Sequence, residues 1–255
     1  MCPMTDVVTR ADLTSYLFNK QANISAWPPE LEPVAEMVRG TAFFPGGSGF
    51  WEPEQEQGLP DVMVVGQDFS TKSEHQAMLA GLASDVDSAT WRNFLKLAKA
   101  ASLDLQSCFF TNAIMGLRKG GSCTGPNPGY VRRNKDFVAA THDFLLEQVQ
   151  VVRPRLIVIL GLPAARVFAA IAADLASWRT LKFRELDARE LSIRKAIRIG
   201  DVTTTCVVLL HPSYRQANLR YRRLDTPTCS DPEISLLKNA IAEALPTEET
   251  TGVQR

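Results

Sequence analysis

His211 is preceded by an unbroken apolar run, Val-Val-Leu-Leu (207–210), and followed by Pro212 and Ser213. The run reads as a buried strand. Pro212 ends it, because proline cannot donate to a sheet ladder. His211 is therefore expected at the carboxyl end of a strand, the edge at which open α/β sheets bind ligands. An imidazole there can donate to an oxygen on which negative charge develops. Four arginines and no acid lie between 214 and 223 (Arg215, Arg220, Arg222, Arg223), a footing for phosphate. Ser213 is either a nucleophile paired with His211 or a phosphate ligand. No Gly-x-Ser-x-Gly elbow surrounds it, which counts against the nucleophile.

Two more strand ends carry polar side chains. Gly66-Gln67-Asp68 follows a short β-branched run at 62–65. Asp68 could hold a metal, act as a base or orient a water; the commoner role of an aspartate after glycine is an Asx-turn. Thr111-Asn112 ends a second run at 108–111. Asn112 carries a donor and an acceptor in one plane. That suits an imide edge such as uracil's, the NH2 giving to O4 and the carbonyl taking from N3–H. Cytosine presents the opposite polarity at both atoms, and mispairing a buried polar site discriminates strongly. Capping of the strand end is the competing role.

The elements needed to position these groups follow from the pattern. Strands at 62–65, 108–111, 155–160 and 204–210 alternate with helical stretches at 88–101, 131–151, 164–173 and 232–244. Asp87 is the expected N-cap of the first, and Pro163 suits the first turn of the third. This alternation predicts an α/β protein: a three-layer α/β/α arrangement with a central four-stranded parallel sheet. Right-handed crossovers then bring all strand C-termini to one edge. Residues 1–60 read as an N-terminal extension packed on the core, irregular apart from a helix-like piece at 32–39. The unit at 61–245 carries the site, and 246–255 reads as a disordered tail. The charged stretch 180–201 reads as a hairpin or an insertion.

Bulk properties exclude several classes. The 255 residues are 45% apolar, enough for a full core, and carry 28 basic and 28 acidic side chains. Net charge gives no argument for a nucleic-acid partner, but its distribution does: residues 105–135 hold five basic residues (Arg118, Lys119, Arg132, Arg133, Lys135) and no acid. Five scattered cysteines (Cys2, Cys108, Cys123, Cys206, Cys229) form no CxxC pair; this disfavours a disulfide framework or an iron–sulfur site. Cys108 and Cys206 fall in apolar runs and read as core thiols. Three histidines without an HExxH pattern give no metal site, and the glycine-rich stretches match neither GxxxxGK[ST] nor GxGxxG. No apolar run is long enough to span a membrane. The expectation is a cytoplasmic monomer with no cofactor and no metal.

Four blocks in order then resemble the uracil-DNA glycosylase superfamily: Val-Val-Gly-Gln-Asp-Phe (64–69), Phe-Phe-Thr-Asn-Ala-Ile (109–114), Arg-Pro-Arg-Leu-Ile-Val-Ile-Leu-Gly-Leu-Pro-Ala-Ala (153–165) and Leu-Leu-His-Pro-Ser (209–213). The resemblance implies hydrolysis of the N-glycosidic bond of a flipped-out uracil or another deaminated base in DNA. By the same resemblance, Asp68 would position the attacking water or stabilise the cationic sugar, and His211 would stabilise the departing base anion. Gln67, Phe69 and Asn112 would hold the base. Ser213, Arg215, Leu219, Arg220 and Arg222 would grip DNA, with Leu219 or Tyr214 filling the gap the base leaves. The chain departs from the family in three ways, the first being that the cysteine ligands of its iron–sulfur branch do not appear at matching positions. Gly-Gln-Asp-Pro-Tyr becomes Gly66-Gln-Asp68-Phe69-Ser70, and the ring that stacks on uracil has no obvious place, Phe69 and Trp91 being the candidates. Two alternatives stay open: a catalytically inactive nucleic-acid or nucleotide binder on the same fold, and a hydrolase built on Ser213 and His211.

Overall fold

Each central strand is short, apolar and buried on both faces, as parallel strands covered by helices must be. A computed structural model describes residues 9–39, 41–51, 58–120, 133–223 and 231–246. In chain order its elements are α1 (Arg10–Gln21), β1 (Leu31–Glu32), β2 (Val62–Gly66), β3 (Ser70–Thr71), α2 (Lys72–Leu79), α3 (Ala89–Ala101), β4 (Cys108–Asn112) and β5 (Leu117–Arg118). These are followed by α4 (Lys135–Val152), β6 (Leu156–Leu160), α5 (Leu162–Ile171), α6 (Phe183–Ala188), β7 (Ile193–Ile199), β8 (Val202–Leu209), α7 (Arg215–Asn218) and α8 (Pro232–Ala244).

The main sheet has the order β4-β2-β6-β8-β7. The first four strands are parallel, as the alternation of strands and helices requires. The fifth, β7, is an antiparallel partner of β8, so the sheet has one strand more than expected. The 180–201 stretch thus contributes to a hairpin. Its strand was obscured because it lies at the sheet's edge, keeps Arg194, Lys195 and Arg198 among its isoleucines, and is broken by a bulge between Arg194 and Ile197.

Alternate residues of the parallel strands feed two cores. On one face Met63, Val65, Phe109, Ile157 and Val208 pack under α1, α4 and α5 through Leu13, Leu17, Phe137, Phe144 and Phe168. On the other, Val64, Phe110, Val158 and Val207 pack under α3 and α8 through Trp91, Phe94, Leu236 and Leu237. Trp91 is fully buried there, as are the unpaired thiols Cys108 and Cys206; Cys2, Cys123 and Cys229 lie outside the described residues.

Local differences from the sequence reading have simple causes. Ser88, not Asp87, caps α3, its Oγ accepting from Trp91 N at 3.2 Å. The helix expected at 32–39 is replaced by the short strand β1 and turns. The N-terminal helix is α1, disguised because its buried side includes Arg10, Thr14 and Gln21 as well as Leu13 and Leu17. Residues 41–51 run along the outer edge of β4, where Phe44 N donates to Phe110 O at 3.0 Å and Phe110 N to Gly49 O at 2.7 Å. This segment pairs an edge that would otherwise be open.

Candidate active site

The four parallel strands end together, and the three polar signals sit on that edge. Gly66 and Asn112 are register partners on β2 and β4. Gly66 has to be glycine: an added Cβ would lie 2.5 Å from Asn112 Oδ1. The asparagine side chain therefore crosses directly over the end of β2. Its Nδ2 donates to Phe44 O at 3.2 Å, which sets the amide's orientation. Asn112 is only 3% exposed. Beside it, the Phe43 ring approaches the Gly66 position to 3.5 Å.

Asp68 follows on the loop leaving β2. Gln67 Nε2 donates to its Oδ2 at 3.0 Å, and the Arg118 guanidinium donates to the same oxygen. Arg118 comes from β5, which belongs to a second small sheet of order β1-β5-β3. The basic residues of 105–135 thus do not form one solvated patch: Arg118 is buried and ion-paired, and Arg132 lies outside the described residues. Nothing in the sequence separates Arg118 from its neighbour Lys119.

His211 leaves β8, two strands away from β2, so the two strand ends are about 10 Å apart. The topology switches direction between β2 and β6, and ligands of such sheets bind at that crevice. Gly161, at the end of β6, lets His211 close over it. An added Cβ there would stand 3.3 Å from His211 Cβ. The His211 ring is half-buried, and burial holds its pKa below the ordinary histidine range, against the smaller opposing pull of the Asp68 charge. A neutral ring is thereby favoured. Its Nδ1 accepts from Ser213 N at 3.4 Å, leaving Nε2 as the donor.

Ser213 does not pair with His211 through its hydroxyl. Its Oγ meets Thr90 Oγ1 at 2.6 Å, and Pro212 O accepts from Asn93 Nδ2 at 2.9 Å. The serine–histidine couple needed for a nucleophilic hydrolase is not formed, and the His-Pro-Ser turn is instead tied to α3.

The arginines after His211 separate into three kinds. Arg220 and Arg223 are exposed. Arg215 is half-buried against Asp231. Arg222 corrects the expectation of a DNA contact: its side chain is 0% exposed, 3.1 Å from Asp187 Oδ1 and 2.8 Å from Glu233 Oε1. Leu219 is half-buried, whereas Tyr214 is exposed. Phe69 packs edge-on to His75 at 5.9 Å, and an added Cβ on Gly46 would lie 2.0 Å from its ring. Sequence reasoning missed Arg118 and Phe43. No cluster of three or more His, Cys, Asp or Glu side chains suited to a metal occurs among the described residues, and no helix there is long and apolar enough to cross a membrane.

The family model of the uracil DNA glycosylase superfamily matches residues 54–228, more than half of the chain. The chain belongs to the uracil DNA glycosylase superfamily. A search of the curated proteins finds no match. The superfamily match spans β2 to the arginines beyond His211, so Asp68, Asn112, Arg118 and His211 all lie within the shared domain.

Proposed function

We propose that the protein is a DNA glycosylase of base excision repair, hydrolysing the N-glycosidic bond of uracil or another deaminated base. The observation that carries this reading is the meeting of Asp68, Asn112 and a neutral-biased His211 on one sheet edge, across the topological switch.

A nucleotide flipped from the DNA stack would place its base over the ends of β2 and β4. Asn112 reads its edge, with an amide whose orientation is set by Phe44 O. Gln67 and the Phe43 ring border that space, and Phe69 follows Asp68 on the same loop. The C1′–N bond breaks with its electron pair leaving on the base. His211 Nε2–H donates to the base oxygen on which that charge develops, and a neutral donor suits an anion that leaves and is protonated later. Asp68 orients the water whose oxygen bonds to C1′ and accepts its proton. Ser213, Arg215, Leu219 and Arg220 belong to the segment that meets the DNA backbone near the flipped nucleotide.

The test is a cleavage assay on labelled oligonucleotides bearing uracil, hypoxanthine or xanthine, single-stranded and mismatched, followed by alkali. Strand scission lost in Asp68→Ala and His211→Ala supports the reading and names the base. Folded wild-type protein that binds these oligonucleotides but releases no base from any of them would overturn it in favour of a non-catalytic binder.

A further inference from the structure

Asp68 is not a solitary carboxylate. Among the described residues its two side-chain donors, Gln67 Nε2 and the Arg118 guanidinium, converge on Oδ2. The pair is nearly closed to solvent, with side chains 11% and 5% exposed. Arg118 is itself held on both sides: β5 pairs with β1 through Leu31↔Arg118 and with β3 through Thr71↔Arg118. Because β3 begins two residues after Asp68, the ladder and the ion pair close a ring around the 66–71 loop. The loop has no proline to stiffen it, and this ring does so instead. The base of the loop is pinned as well, since Ile114 N donates to Gln67 O at 3.0 Å.

A guanidinium on one carboxylate oxygen has two consequences. A charge-assisted hydrogen bond fixes the plane of the carboxylate, leaving Oδ1 as the oxygen available to a water. It also neutralises much of the negative charge that Asp68 would otherwise present to a cationic sugar. Of the two roles open to Asp68, the pairing favours orienting water over stabilising that cation.

Resting on the glycosylase reading above, we propose that Arg118 is the positioning residue for Asp68, holding Oδ2 so that Oδ1 aligns the attacking water. Arg118 then acts on the chemical step through Asp68 and not on DNA binding. Misplacing a reacting group by about 1 Å can cost about a hundredfold in rate. Arg118→Met is expected to lower kcat for base release by about that factor with KM and oligonucleotide affinity unchanged. Arg118→Lys, which keeps a cationic donor, is expected to recover part of the loss. In an Asp68→Asn background, Arg118→Met should cause little further loss, because the two residues act as one unit.

Single-turnover excision kinetics and oligonucleotide binding are measured on wild type, the three single variants and the double variant, each checked for cooperative unfolding. Should Arg118→Met fail to fold, Arg118→Gln, which keeps a donor without the charge, takes its place in the cycle. Full kcat in the Met or Gln variant overturns the proposal. So does a raised KM with unchanged kcat, the mark of a phosphate contact, and so does a double variant slowed by the product of the two single losses. Wild-type protein that excises no base instead overturns the underlying glycosylase reading, and this role with it.

Discussion

The two sides of the candidate site each bury an arginine against carboxylate, and they do so to different ends. Under the His211 turn, Arg222 is sealed. Asp187 and Glu233 flank it, Nη2 donates to Val208 O at 3.3 Å, and the Phe183 ring lies 4.8 Å below the guanidinium. The carboxylates are occupied in turn. Asp187 also accepts from Ser192 Oγ at 2.6 Å and Arg223 N at 2.8 Å, and Glu233 Oε2 accepts from Leu210 N at 2.9 Å. Across the sheet edge, Asp68 and Arg118 form a smaller unit whose two donors share one carboxylate oxygen. A buried network of ion pairs closed on itself, in which Arg222 Nε, Arg222 Nη1 and Glu233 Oε1 are paired by charge and not by a hydrogen bond, holds a backbone turn in place. One that leaves an oxygen uncommitted at the edge of the sheet can meet a substrate.

The largest effect should come from breaking the sealed network. Arg222→Met strands Asp187 and Glu233 in the core, and removing one partner of a buried ion pair typically costs about 3–5 kcal/mol. Arg118→Met should cost less, on the order of 1–2 kcal/mol, because it leaves a single carboxylate that still accepts from Gln67. Urea unfolding of both variants measures the difference; equal losses would erase the distinction between the two regions.

Next in size is a pH effect on the His211 side. Burial pushes the Glu233 carboxyl up to about 7, from an ordinary 4.5, against the lowering pull of Arg222 and of the Leu210 N–H. A carboxyl whose folded pKa is raised binds its proton more tightly in the folded state. Its contribution is fully present below about pH 4.5 and is lost as pH rises to about 7. Glu233 should therefore make stability fall across that window by an amount on the order of a few kcal/mol. Glu233→Gln should flatten this part of the stability–pH curve while keeping an acceptor for Leu210 N. An unchanged slope would show that Glu233 remains ionised throughout.

Much of the sheet was legible because buried parallel strands are short apolar runs, and their polar ends mark the binding edge: Asp68, Asn112 and His211 each stand at or just beyond the end of such a run. Arg118 and Arg222 could not. Each stands next to another basic residue, Lys119 and Arg223, and adjacent residues point to different surroundings for reasons set by tertiary pairing alone. Arg222 is turned inward by carboxylates distant in sequence, Asp187 and Glu233. Arg118 is turned inward by a two-residue strand, β5, too short to show any periodicity. Phe43 was hidden for a related reason: its place beside Gly66 depends on residues 41–51 pairing with the edge of β4, a long-range contact without a local signature.

Gly161 gives a smaller, more local test of the His211 side. Its φ of 95° and ψ of 156° lie in a region open essentially to glycine alone. Alanine there should cost about 1–3 kcal/mol in backbone strain, and its Cβ would press on His211 Cβ at 3.3 Å. Gly161→Ala should thus lower both stability and excision rate, with little change in oligonucleotide binding. A variant destabilised but fully active would mean that the position of His211 tolerates displacement.

The smallest expected effect concerns Arg220, the counterpart of Arg222 two residues away and opposite to it in exposure and in ion pairing. Arg220 is exposed, its guanidinium lies 4.9 Å over the Tyr221 ring, and its Nη2 donates to Tyr221 Oη at 3.0 Å. Among the described residues no carboxylate holds it, so Arg220→Ala should leave the unfolding midpoint within about 0.5 kcal/mol of wild type. If Arg220 meets a phosphate, the slope of log K against log salt should fall by about 0.9 for duplex DNA, or about 0.7 for a single strand. The same slope should be unaltered in Arg222→Lys protein that remains folded, because Arg222 has no surface to offer. A slope unchanged in Arg220→Ala would turn the 215–221 segment away from DNA, and the phosphate contacts would then have to be sought among the basic residues between 119 and 135.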